Sequence, residues 1–155
     1  MLQRSRRKGF SLIELLIVIA IILIIAAIAV PKLTRARMQA FEMASIRTLH
    51  ALNTAQVQYF STYGRYASTL NELGPTAGNS TASAAAADLI PGDLASGLAS
   101  GYTFTMVGTP AGYTVSADPQ TYNVTGSRSF YTDHSNIIRQ HMGEGGASEK
   151  DPEIK

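Results

Sequence analysis

The 155-residue chain has no cysteine, no tryptophan and no glycine between Phe10 and Tyr63. Without cysteine no disulfide can close a loop, and the redox compartment cannot be read. His50, His134 and His141 lack metal-ligand spacing, and no glycine-rich phosphate loop is present, so no enzyme activity is expected. His134, between Asp133 and Ser135, reads as part of a polar hairpin turn. At 155 residues there is room for one modest core beyond a long helix.

Charge is also missing from one long stretch. From Phe10 to Val30 only Ser11 and Glu14 are polar. Twenty-one residues at about 1.5 Å each reach roughly 30 Å, the thickness of a bilayer's hydrocarbon core. This segment can span a membrane. A carboxylate inside such a helix costs about 2.5–3.5 kcal/mol on insertion scales, so Glu14 is a functional candidate. The plainer reading is that Glu14 lies one turn inside the helix and favours its positive N-terminal end.

The basic leader ending in Gly9, followed by Phe10-Ser11-Leu12-Ile13-Glu14-Leu15-Leu16 and the apolar run, resembles the class III signal of type IV pilins and type II secretion pseudopilins. The resemblance implies cleavage by a prepilin peptidase between Gly9 and Phe10, with N-methylation of Phe10. It also implies that Glu14, fifth in the mature chain, pairs with the amino terminus of a neighbouring subunit. Physics agrees. A new α-amino group is mostly cationic at neutral pH, and low dielectric strengthens its attraction to a carboxylate when desolvation is offset.

The formal net charge of +2 invites a nucleic-acid reading, but Arg4, Arg6, Arg7 and Lys8 all lie in the leader. Removing these four leaves nine basic side chains against eleven acidic ones. Global charge then gives no support for polyanion binding. The four leader charges read as a cytoplasmic anchor, although Lys32, Arg35 and Arg37 follow the apolar run closely and counter the positive-inside rule. Orientation, with the C-terminal part in the periplasm, therefore rests on the resemblance. Another export route is open at Ala27-Ile28-Ala29, a small-residue site at which a signal peptidase would cut before Val30 and release a soluble domain. The length of the apolar run and the presence of Glu14 count against it.

Beyond Val30 the helix is expected to continue to Tyr63, with a kink at Pro31. Met38, Phe41, Leu49, Leu52, Tyr59 and Phe60 form a bulky stripe that can face a sheet. Ala36, Ala40, Ala44, Ala51 and Ala55 lie on another side. Many type IV pilins carry a glycine midway through the apolar segment, where the helix can melt. Here Ile22-Leu23-Ile24 stands instead, which makes melting harder. Gly64 is a plausible C-cap, and Tyr59, Tyr63 and Tyr66 read as core and rim. Residues 64–101 form a connector rich in Ala, Ser and Gly, with a short helix expected over Ala82–Ile90.

From Tyr102 the period becomes two. One hairpin is expected from Tyr102–Val107 and Tyr113–Ala117 across a five-residue loop, and another from Ser127–Thr132 and Ile137–Gln140. Residues 143–155 read as a loose tail. The expected fold is α+β and pilin-like: a leader over 1–9, a helix over 10–63 with 10–30 in the membrane, and a head of about four antiparallel strands over 102–142. No cofactor is expected. Calcium is the weaker alternative, with Asp118, Asp133 and Asn136 as oxygen donors but no dense run of acids.

The resemblance implies a single-pass inner-membrane subunit that meets the peptidase and an assembly platform, then polymerises with copies of itself into a helical pilus or pseudopilus. A minor pilin that binds DNA or a surface is the remaining alternative. Only Arg65, Arg128 and Arg139 would serve such a patch besides the tail lysines.

Overall fold

The computed structural model describes residues 9–78, 80–109 and 111–154. The chain divides into two compact units, one ending at Ala36 and one beginning at Arg37. The first is the apolar part of helix α1, which runs from Leu12 to Tyr63 as one element and passes through Pro31 without a break. Gly64 ends α1 in the left-handed conformation, φ +70°, and its N–H donates to the Phe60 carbonyl at 2.8 Å.

The second unit has the expected α+β class, with the remainder of α1 against an antiparallel sheet. The sheet has five strands rather than four: β1 Leu98–Ala99, β2 Tyr102–Thr109, β3 Gly112–Pro119, β4 Arg128–Asp133 and β5 Ile138–Met142, ordered as in sequence. The first hairpin is tighter than its alternation suggests. Thr109 pairs with Gly112, so two residues separate the strands instead of five. Alternation along β2 is strict: Tyr102, Phe104 and Met106 are buried while Thr103, Thr105 and Val107 are exposed.

The sheet-facing side of α1 differs from the expected stripe. Glu42, Ser45, Leu49, Leu52, Gln56 and Tyr59, spaced alternately three and four residues apart, are all at most 3% exposed. Asn53 and Ala55 are buried beside them. Phe60 is 43% exposed, Met38 and Phe41 are half-buried, and Ala55 turns inward rather than lying with the outer alanines. Polar residues displace bulky ones on this face because most of them have partners, and a satisfied polar group can be buried at little cost.

Those partners tie α1 to distant parts of the unit. Glu42 Oε1 accepts from the Ser127 N–H at 2.8 Å and its hydroxyl at 2.9 Å, and Glu42 Oε2 meets Arg128 Nη2 at 2.7 Å. Asn53 donates to Thr132 Oγ1 and accepts from the Tyr113 hydroxyl, both at 3.0 Å. Gln56 exchanges two hydrogen bonds with the Ala67 backbone, at 2.9 and 3.0 Å, as a strand neighbour would. The Tyr59 hydroxyl reaches the Glu72 carboxylate at 2.9 Å. Burial, reinforced by Glu72, pushes the Tyr59 phenol up to about 12.

Two further expectations are corrected. No helix forms over Ala82–Ile90; Asp88 has φ +55°, and the Ala87, Asp88 and Leu89 N–H groups donate to the Glu72, Gly74 and Leu73 carbonyls at 2.8 Å. The short helices are instead α2, Leu70–Leu73, and α3, Gly92–Ala95. The segment after Met142, expected to be loose, lies along β5. Gln140 N–H donates to the Pro152 carbonyl at 3.0 Å and Ile154 N–H to the Ile138 carbonyl at 2.9 Å. Asp151 bridges His141 Nδ1 at 2.9 Å and Ser148 at 2.7 Å, which holds its carboxyl down at about 2. Backbone pairing, which composition does not reveal, orders this segment and covers the edge of the sheet.

Candidate functional site

The site begins at Gly9 and Phe10, both exposed and ahead of the first helical residue, Leu12. The leader residues Arg4, Arg6, Arg7 and Lys8 lie outside the described residues. Ser11 flanks the helix, and its N–H donates to Glu14 Oε2 at 2.8 Å. Glu14 thus stands at the third helical position and reaches back to cap an otherwise unpaired donor, half of a capping box. Ser11-x-x-Glu14 has the spacing of that motif, a signal available in the sequence that the charge argument does not use. Within one chain Glu14 is therefore bonded to Ser11, and no hydrogen bond to Phe10 is present among the described residues.

From Phe10 to Leu33 every large apolar side chain is 45–83% exposed. The helix contains a stretch with a mean hydropathy of 3.3, long and apolar enough to cross a membrane. Burying one such side chain is worth about 1.5–3 kcal/mol, so leaving this many in water is strongly unfavourable. Pro31 removes one backbone donor near the end of this run, and the Thr34 hydroxyl donates to the adjacent Val30 carbonyl at 3.1 Å.

Residues 4–30 match the family described as the prokaryotic N-terminal methylation motif. The chain carries that motif. It takes in the leader charges, Gly9, Phe10, Glu14 and the apolar run. Over 76 residues, 48% of this chain and 34% of the relative, the sequence is 45% identical to the type IV major pilin protein PilA of Myxococcus xanthus (strain DK1622). The aligned part of the chain spans about a third of that relative's length. No solved structure matches the chain. The chain is thus similar, over these segments, to the methylation-motif family and to a type IV major pilin, and the structure adds a long apolar helix and an antiparallel sheet.

The other candidate groups all belong to the second unit. Asp133 accepts from the Ser135 N–H at 2.8 Å, and Asn136 Oδ1 lies 3.2 Å from the Tyr113 hydroxyl oxygen. Asp118 pairs with Thr103 in the sheet, and burial raises its carboxyl. Asp133 pairs with Thr114, four residues along β3 from Asp118, so the backbones of the two acids stand about 13 Å apart. Among the described residues no group of three or more His, Cys, Asp or Glu side chains could hold a metal. The arginines available for a basic patch are each engaged: Arg65 with Glu72 at 2.8 Å, Arg128 with Glu42, and Arg139 with the Asp151 carbonyl at 3.0 Å and Glu153 at 3.6 Å.

Proposed function

We propose that the chain is a structural subunit of a type IV pilus, made as a precursor, cut between Gly9 and Phe10, N-methylated on Phe10 and polymerised into a helical filament. The observation that carries this reading is the methylation motif over residues 4–30 with its single carboxylate in an apolar helix. Before assembly the subunit sits in the inner membrane with its folded part in the periplasm. Its partners there are a prepilin peptidase and an assembly platform. The cationic amine of Phe10 on one subunit pairs with Glu14 of a neighbour in a low-dielectric setting, where such a pair sets register. Apolar faces of α1 cover one another in the filament. The contact is head-to-tail and does not close on itself, so it generates an open helix of subunits. The likeness to a major pilin favours a pilus over a secretion pseudopilus.

Intact mass and N-terminal sequencing of protein from membranes and from sheared surface fractions test this reading. A mature chain starting at N-methylated Phe10 supports it. A start at Val30 would replace the filament with a soluble exported domain. Recovery of processed chain only from membranes would favour the pseudopilus.

A further inference from the structure

Lys32, Arg35 and Arg37 follow directly on the apolar run, and all three are exposed and free of ion pairs among the described residues. No acidic residue lies between Glu14 and Glu42, and Glu42 is already committed to Ser127 and Arg128. Three cations therefore stand together without a counterion from their own helix. At 100° per residue, Arg35 and Arg37 fall about 60° and about 140° to opposite sides of Lys32. A protein partner seated on one face of the helix would meet only part of this set. A medium that surrounds the helix meets all of it.

We propose that these three residues form a collar for anionic phospholipid headgroups in the leaflet through which α1 leaves the membrane. The inference rests on the membrane-anchored reading above. Dimensions agree with it. The five steps from Lys32 to Arg37 rise about 7.5 Å along an α-helix, and each headgroup layer is about 5–7.5 Å thick. Lys and Arg stems lie along apolar surface while their heads reach phosphate, and such residues fix the depth of a span. Arg37 also stacks over the Phe41 ring at 5.2 Å, placing an aromatic face beside the cation at this level. A consequence for processing follows. Cleavage at Gly9 discards Arg4, Arg6, Arg7 and Lys8, so the collar becomes the remaining cluster of basic side chains flanking the span, at the end away from the cut.

Because the chain has no cysteine, Ala36→Cys gives a single site for a fluorophore at the collar. The labelled full-length protein is reconstituted into vesicles containing phosphatidylcholine or phosphatidylglycerol spin-labelled on the headgroup, at equal mole fraction. Quenching by the phosphatidylglycerol probe should exceed that by the phosphatidylcholine probe about fivefold, as one cation near an anionic surface already predicts. The excess should vanish in the triple variant Lys32→Gln, Arg35→Gln, Arg37→Gln, and in 1 M salt, where the screening length is about 3 Å. Arg47→Gln, ten residues beyond Arg37, should leave it unchanged. Equal quenching by both lipids in the unmodified collar, or an excess that survives the triple variant, overturns the collar but leaves processing and assembly standing. No quenching by either lipid places residue 36 away from the headgroups and overturns the collar, while the membrane-anchored reading is tested separately by the N-terminal sequence and by recovery from membranes.

Discussion

The two stretches of α1 present opposite chemistry. From Leu12 to Leu33 the helix is almost wholly apolar, and its large side chains are exposed. From Glu42 to Tyr59 it buries Glu42, Ser45, Asn53 and Gln56 among Leu49, Leu52 and Tyr59. Hydrophobicity alone would rank their burial the other way. Burial within this chain instead follows from complementary partners, supplied to the second stretch by Ser127, Thr132, Tyr113 and Ala67. The first stretch has no buried large apolar side chain among the described residues, and under the proposed function lipid or other subunits would cover it.

Substitutions can break this contrast. Glu14→Ala carries the largest expected effect: precursor cleavage and thermal unfolding of the packed unit stay near normal while filament yield collapses in shear assays. Normal filaments from that variant would sink the charge-pairing role. Next comes Leu52→Ala, which empties a fully buried site and should destabilise the packed unit by about 2–5 kcal/mol, lowering Tm by on the order of 10 °C. Leu23→Ala, the same change at a 67% exposed position, should leave that transition where it is. Equal shifts from the two would show that both stretches fold as one cooperative block.

A smaller loss is expected from Glu42→Gln, about 2–3 kcal/mol by urea denaturation, because it leaves the half-buried Arg128 without its anion. Its pH behaviour sharpens the test. Burial pushes the Glu42 carboxyl up, but the bonds from Ser127 and Arg128 outweigh it and hold the group below the usual range. A depressed folded value means the stabilisation is complete above the unfolded carboxyl's range and is lost as pH falls through the folded value. Unfolding midpoints measured from pH 6 downward should therefore decline in acid, less steeply in Glu42→Gln. Glu72, held down by Arg65, Tyr59 and Ser68 against its own burial, supplies part of the slope that remains. Least disruptive is Asp151→Ala, which should speed amide exchange at Gln140 and Ile154 without moving the global transition.

The same contrast explains what could be read from the chain alone. Period two over Tyr102–Met106 and the glycine-free run from Phe10 to Tyr63 are direct consequences of backbone geometry, so the hairpins and α1 were visible. Glu14 stood out because a lone carboxylate among aliphatic residues is costly. Glu42, Asn53 and Gln56 were hidden, since their partners lie tens of residues away and a polar side chain by itself points to solvent. The order of residues 82–90 and 143–154 resides in main-chain bonds that composition does not encode.

The strand order has a kinetic consequence. Each strand of the sheet pairs with the strand next to it in sequence, so every ladder closes through a short loop and at modest entropic cost. Docking of the buried polar face of α1 is different: Glu42 must find Ser127 across 85 residues, and Asn53 must find Thr132 across 79. Local contacts form quickly and distant ones slowly. The expected order of events is a sheet that assembles early and waits for its helix, with the Glu42 and Asn53 bonds forming at or after the rate-limiting crossing.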